Sequence, residues 1–471
     1  MIEGLKPYAE YKESGSRWIG SVPSSWTVRN LRTLITSRSE RNHPDLPLLS
    51  VAREKGVFVR SLTDANENHN VIPEDLTNYK VARAGNLVIN KMKAWQGSMG
   101  IAPCDGIVSP AYFVFDFRIA NHAFGQALLR CKPYVGHFGQ ASDGVRIGQW
   151  DLSIPGMRQI PVLVPSEDEQ AAIVRFLDHA NRKINRFIHT KRRLIELLNE
   201  EKQFIIRRAG THGIDPNVKL KPSGINLLGD VPEHWGIHKL KRLTTQIVDG
   251  THFTPKYTDK GVPFLRVKDI HSNTLEMETL RYISFDEHLH LNKRCNPEKG
   301  DVLLSKNGTI GITKVVDWDF QFSIFVSLCL IKLRKNLIDP YFLSYIFKGR
   351  ILDEQIRDTT KTTSVTNLHL DKINNFVVIV PSIEEQRMII EHLRVILLSS
   401  DQAIERTRSE IALIREYRNR LISDVVTGKL DVRSVELPTM DEAEVPEDIE
   451  IGEETEAEEL IESEEVPDAD E

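Results

Sequence analysis

Val162-Leu163-Val164-Pro165-Ser166-Glu167-Asp168-Glu169-Gln170 returns 216 residues later as Val378-Ile379-Val380-Pro381-Ser382-Ile383-Glu384-Glu385-Gln386. A second cassette behaves the same way. Ser14-Gly15, Trp18-Ile19-Gly20-Ser21-Val22-Pro23 and Trp26 return at an offset of 209 as Ser223-Gly224, Leu227-Leu228-Gly229-Asp230-Val231-Pro232 and Trp235. Two copies half a chain apart are too long for a solenoid and too few for an array, so they mark one duplicated unit. Duplicated units meet duplicated or pseudo-symmetric targets, and a DNA site with two half-sites is such a target.

Each Pro-Ser opens a helix. Ser166 or Glu167 can cap, and Glu167, Asp168 and Glu169 suit the positive end of the helix dipole. Ile173, Leu177, Ala180, Ile184, Phe187, Leu194, Leu198 and Ile205 then follow in steps near three and four, interrupted by Lys191 and Glu201. No Pro or Gly intervenes before Gly210, which predicts about 40 helical residues, roughly 60 Å. The second copy is predicted from about Ile383 to Thr427. Its apolar positions are Ile389, Leu393, Ile396, Ala403, Ile414, Tyr417 and Leu421, while Ser400, Thr407 and Glu410 weaken its middle. Two such seams must be buried, and each helix is the other's obvious partner. Inside one duplicated chain an antiparallel coiled coil gives a pseudo-twofold relation.

The resulting fold expectation is α+β, with two mixed α/β domains held apart by a pair of long antiparallel coiled-coil helices. The expected segments are an N-terminal repeated segment (1–26), a first variable domain (27–164), a central repeated region with a long helix (165–235), a second variable domain (236–380), a distal repeated region with a long helix (381–434) and an acidic tail (435–471). Asn86–Asn90 and Ala111–Phe115 read as strands in the first variable domain; Val262–Val267, Asp301–Ser305 and Ser327–Ile331 do so in the second. Inside these domains no repeat is evident by eye.

Of 471 residues, 40% are hydrophobic, enough for packed cores. No run approaches the ~18 apolar residues of a membrane span, and Met1–Lys6 does not resemble a secretory signal. Cys104, Cys131, Cys295 and Cys329 lie far apart, without a Cys-x-x-Cys pair. They read as reduced, mostly buried thiols of a cytoplasmic protein, with no metal site. The net charge of −6 hides an asymmetry: Glu436 to Glu471 holds 18 acidic and no basic residues, leaving 61 basic against 49 acidic residues elsewhere. The body is therefore basic, as a polyanion-binding protein would be. The tail reads as a disordered, solubilising extension, or as a competitor of DNA phosphates for the basic body.

Catalytic signatures are missing. There is no phosphate-binding Gly-x-x-x-x-Gly-Lys-Ser/Thr loop, no Gly-x-Gly-x-x-Gly, no Gly-x-Ser-x-Gly and no His-Glu-x-x-His. The Asn/Asp-Pro-Pro-Tyr/Phe tetrapeptide of adenine methyltransferases is missing too, Asn296-Pro297-Glu298 being the nearest approach. A non-catalytic protein is expected.

Several stretches together resemble the specificity subunit of type I restriction–modification systems. They are Tyr8–Gly15 with Trp18–Gly20, Val22-Pro23 and Trp26; Gly85–Met92 with Trp95-Gln96-Gly97; Asp105–Tyr112; Asp249–Pro255; Gly300–Lys306 with Gly308–Gly311; and Val426–Arg433. The resemblance covers about residues 7 to 434. Leu227 departs from it by standing where the first copy has Trp18. The resemblance implies two target-recognition domains, each reading half of a bipartite double-stranded DNA site, with the helices as a ruler between them. It also implies partners: two methyltransferase subunits, which use S-adenosylmethionine to methylate adenine N6, and restriction subunits that need ATP and magnesium. The chain itself would carry no cofactor.

Base and phosphate contacts need Arg, Lys, Asn, Gln and hydroxyl groups. In the first domain the candidates are Lys91, Lys93, Gln96, Arg146 and Gln149; in the second, Thr251, His252, Lys256, Lys306, Asn307, Lys361, Thr362, Ser364 and Asn367. Lys191, Arg192, Arg193, Lys202, Arg207 and Arg208 read as a solvated helix face interleaved with Glu196, Glu200 and Glu201. Gln170 and Gln386 fit either capping or contact with a methyltransferase subunit. Two rival readings are the recognition part of a combined nuclease–methyltransferase, and a coiled-coil scaffold that binds proteins rather than DNA.

Overall fold

The computed structural model describes residues 5–437 except 17, 62–74, 147–148, 225–227, 272–274 and 361–366. The acidic tail beyond Leu437, the Leu227 departure and the candidates Lys361, Thr362 and Ser364 therefore lie outside the described residues. The chain forms two compact units, Met1–Lys191 with Ser409–Glu471, and Arg192–Arg408.

In the first unit the strands Ile35–Arg38, Tyr112–Phe117, Leu87–Asn90 and Met99–Ile101 lie side by side in that order, each pair antiparallel. Leu87, Val88 and Ile89 are fully buried, as expected of an apolar run covered on both faces. A helix, His122–Arg130, follows the sheet, capped by the Asn121 side chain. The two repeated cassettes meet here: Thr27–Asn30 pairs with Pro161–Val164 in antiparallel fashion, beside the buried Trp26.

The second unit repeats this order. Thr244–Asp249, Leu328–Leu333, Val302–Ser305 and Thr313–Val315 form its four-stranded sheet. The helix Pro340–Lys348, capped by Asp339, takes the place of His122–Arg130. Gly236–Lys239 pairs with Val377–Val380 beside the buried Trp235. The duplication thus extends through the variable stretches, where the sequence hides it. One visible trace is a glycine before the third strand of each sheet: Gly85 and Gly300 both have φ +86. That left-handed geometry favours glycine.

The α+β class and the paired long helices are present. The helices span Glu167–His212 and Ile383–Val426. Ser166 Oγ accepts from the Glu169 N–H at 3.4 Å and Ser382 Oγ from the Glu385 N–H at 3.2 Å, so Ser caps each one. Within the first unit, Lys191 pairs with Glu410 at 2.7 Å and Arg418 donates to Asn185 at 3.4 Å. Within the second, Lys202 pairs with Asp401. In the first unit a rising number on one helix meets a falling number on the other, so the packing there is antiparallel.

The seam differs from the expected one by a small rotation. Leu397, Ile404 and Ile411 are buried where Ile396, Ala403 and Ile414 were expected, and Ile188 is buried while Phe187 is more than half exposed. Ile389, Leu393, Leu397, Ser400, Ile404, Thr407 and Ile411 lie buried in steps of four and three, close to the 3.6-residue turn of an α-helix. Lys191 and Lys202 interrupt the seam of the first helix because each has a carboxylate opposite. Arg193 pairs with Glu196 at 2.7 Å on the solvated face. Among the described residues no helix is long and apolar enough to cross a membrane. All four cysteines are free, with Cys131, Cys295 and Cys329 buried.

Candidate nucleic-acid interface

Each sheet ends in a polar residue followed by lysine. Asn90 and Lys91 close one strand of the first unit, and Ser305 and Lys306 close its counterpart in the second. The loops that carry most of the candidates begin at these strand ends.

In the first unit the turn 91–97 is pinned from several sides. The Met92 N–H donates to Asn90 Oδ1 and the Trp95 indole N–H donates to the Met92 carbonyl, both at 3.1 Å. The Gln96 N–H reaches the Lys93 carbonyl at 3.0 Å. A hairpin of Ser142–Arg146 and Gln149–Leu152 comes up beside this turn, with Arg146 opposite Gln149 at its tip. Lys91 Nζ meets Asp151 at 2.7 Å, and the Lys91 carbonyl accepts from the Leu152 N–H at 2.9 Å. The rings of Trp95 and Trp150 lie 5.0 Å apart. The structure therefore draws the turn holding Lys91, Lys93 and Gln96 to the hairpin whose tip carries Arg146 and Gln149. Lys93 is exposed and Gln96 half-buried.

The neighbourhood is positive. Burial, helped by the charges of Arg41 and Lys91, pushes the Lys80 ammonium below its usual range. Lys80 compensates by donating to the Tyr112 carbonyl at 2.6 Å. Met92 stands exposed at the apex of the pinned turn, and its apolar side chain carries no polar signal in the sequence.

In the second unit Asp249, the last residue of its strand, organises the loops. Its carboxylate meets Arg294 Nη2 at 2.5 Å, His252 Nε2 at 3.1 Å and Lys306 Nζ at 3.5 Å. Thr251 is buried and its hydroxyl donates to the Phe253 carbonyl, so the group shapes the turn. Lys256 is exposed on the same loop. Asn307 and Asn367 form an antiparallel bridge, and the Leu368 N–H donates to the Lys306 carbonyl at 2.8 Å. The side-chain oxygens of Asn307 and Asn367 are buried and accept no hydrogen bond among the described residues. Thr251, His252, Lys306, Asn307 and Asn367 thus come together at one sheet edge. Asp249 and Arg294 were absent from the sequence candidates; their pairing spans 45 residues, and no local spacing rule signals it.

Gln170 and Gln386 face inward. Gln170 Oε1 accepts from the Asn121 N–H at 3.0 Å and its amide donates to the Pro165 carbonyl at 3.0 Å. Gln386 repeats both bonds with Asp339 and Pro381. Both are buried, so these side chains join the long helix to its own unit.

The arrangement offers cationic and amide groups on pinned loops, the chemistry of nucleic-acid contact. Among the described residues no group of three or more His, Cys, Asp or Glu is placed to hold a metal.

Comparison with known proteins gives a consistent answer. Residues 232–412 match the family model of the type I restriction modification DNA specificity domain. The type I restriction enzyme MjaVIII specificity subunit of Methanocaldococcus jannaschii is 24% identical over 282 residues, 59% of this chain and 63% of that protein, just under two thirds. The putative type I restriction enzyme MjaX specificity subunit of the same organism is 23% identical over 457 residues, 90% of this chain and 98% of that one. A chain in a solved structure concerning complex assembly and conformational transition of the type I R-M system shares the fold. Its TM-score is 0.55 at 16% identity, covering 86% of this chain and 98% of that chain.

Proposed function

From the premise that this chain carries a type I restriction modification DNA specificity domain at residues 232–412, we propose that it is the DNA-reading subunit of a type I restriction–modification complex. Each unit reads one half of a bipartite, asymmetric double-stranded site. The first uses the 91–97 turn and the hairpin tip at Arg146 and Gln149; the second uses the loops around His252, Lys306, Asn307 and Asn367. The chain performs no chemistry. It positions two methyltransferase subunits, which bring S-adenosylmethionine for adenine N6 methylation, and restriction subunits, which bring ATP and magnesium. The apolar side chains exposed on the first long helix, Leu194, Leu197 and Phe204, suit a protein partner.

The observation that carries this reading is the repetition of one sheet in both units, each presenting lysine and polar loops from the same strand end. Two similar but non-identical reading heads fit two different half-sites. The domain limits 27–164 and 236–380 are proposed as the exchangeable parts.

The test is methylome sequencing of a methylation-free host expressing this chain with its cognate methyltransferase subunit. N6-methyladenine at one split motif with a fixed spacer is the expected result. Exchanging residues 27–164 for another recognition domain should change one half of that motif only. Methylation at an unsplit motif would overturn the bipartite reading, and both halves changing together would overturn the modular one.

A further inference from the structure

Asp249 is nearly buried, with 7% of its side chain exposed, yet two of its three partners stand mainly in solvent. Arg294 is 56% and His252 60% exposed at the side chain, whereas Lys306 is only 5% exposed. A buried ion pair gains little net stability over apolar residues of the same size, because removing the charges from water offsets most of their attraction. A carboxylate sunk into the sheet to hold an exposed guanidinium and an exposed imidazole is therefore a poor device for stability alone. It is a good device for aiming those groups, since a hydrogen bond to a fixed carboxylate holds a side chain that would otherwise rotate freely.

The carboxylate cannot drift. The Gly250 N–H donates to the Leu328 carbonyl at 3.2 Å, the Thr251 N–H to the Ile324 carbonyl at 3.1 Å, and the Val326 N–H to the Thr251 carbonyl at 2.9 Å. A Cβ on Gly250 would lie 2.1 Å from the Ile324 carbonyl oxygen, so the backbone passes where only glycine fits. The Arg294 backbone is held too: its N–H reaches the Leu291 carbonyl at 3.2 Å and its carbonyl accepts from Gln246 Nε2 at 3.3 Å. Three chain segments thus meet at one place: one delivers the carboxylate and the imidazole, one the guanidinium, and one the Lys306 ammonium beside the carboxylate as balancing charge.

We infer that Asp249 is a positioning residue for DNA reading, its buried carboxylate aiming Arg294 and His252 at the duplex. Arg294 is the direct contact of the pair, because its guanidinium spends one edge on Asp249 and keeps other donors for a phosphate or a guanine edge. This rests on the proposed function; Asp249 and Arg294 carry no local signal in the sequence.

The experiment uses the full chain assembled with its methyltransferase subunit. Binding is measured to a duplex carrying the mapped motif and to duplexes with either half-site scrambled, for the wild type and for Asp249→Asn, Asp249→Glu, Arg294→Ala and the Asp249→Asn/Arg294→Ala double variant. Asp249→Asn and Arg294→Ala should each weaken cognate binding at least tenfold and leave binding to one scrambled duplex unchanged. The double variant should be weaker by clearly less than the product of the two losses, and Asp249→Glu should recover part of the affinity. Losses that multiply in full, or cognate binding within twofold of wild type for Asp249→Asn, would overturn the inference. Should Asp249→Asn fail to melt cooperatively, Arg294→Ala and His252→Ala carry the test from the exposed side, and full affinity in both overturns it. A wild-type complex that prefers no split duplex would instead overturn the proposed function itself, so the two failures are told apart.

Discussion

The side-chain oxygen of Gln386 accepts a hydrogen bond from the backbone N–H of Asp339 at 2.8 Å. Gln170 does the same for Asn121 at 3.0 Å in the other unit. Asp339 and Asn121 cap short helices, so each glutamine ties the root of a long helix to the sheet-bearing part of its unit. A buried donor left without its acceptor costs about 1–3 kcal/mol. Gln170→Ala and Gln386→Ala should each destabilise the chain by about that amount in urea denaturation. The methylated motif should stay the same, because neither side chain faces a ligand.

A pH effect belongs to His137. Burial pushes its imidazole down to about 4, well below the ordinary value near 6.5. Between these values the unfolded chain binds a proton that the folded chain does not. Stability is therefore full above pH 6.5 and declines as pH falls toward 4. Because the ring is only half-buried, the decline should be modest. His137→Phe should flatten that part of a melting-temperature profile against pH, and an unchanged slope would assign the effect elsewhere.

Thiol chemistry is expected to be quiet. Burial drives Cys131 and Cys295 up to about 12 and raises Cys329 as well. Cys104 is the half-buried exception. A small alkylating reagent at pH 8 should modify Cys104 alone in the native chain and all four thiols after denaturation. Peptide mass spectrometry reads this directly. Rapid native modification at Cys329 would contradict the burial.

The acidic stretch after Leu437 invites a truncation. Its charge opposes that of the basic body, and competition with phosphates for the same cations would make it an inhibitor of non-specific binding. Removing residues 438–471 should raise affinity for random-sequence DNA several-fold at low salt and steepen the dependence on salt. Unchanged affinity and slope would leave the stretch a solubilising extension.

What the sequence revealed was mostly local. Caps, acidic first turns and apolar steps lie within one helix, so both long helices were legible to within a few residues. The seam phase was not, because neighbouring apolar residues such as Ile396 and Leu397 offer two phases of the same helical repeat, and only tertiary packing selects Leu397 for burial. The repeat inside the variable stretches was hidden because the two sheets preserve order and glycine geometry rather than residue identity. Among the proposed contacts, Lys91 and Lys306 were open to selection from their motifs. Asp249 and Arg294 were missed because their relation exists only after the chain folds back over 45 residues.

The lysines in the coiled-coil seam also determine which alignments are forbidden. Lys202 faces Asp401. A slip of one heptad in either direction would bring Arg394 or Arg408 to that place, turning attraction into repulsion. The two helices can therefore dock at one offset and are penalised at the nearest alternatives. Lengthening one helix alone would break this match, whereas equal insertions on both sides of the pairing would keep it.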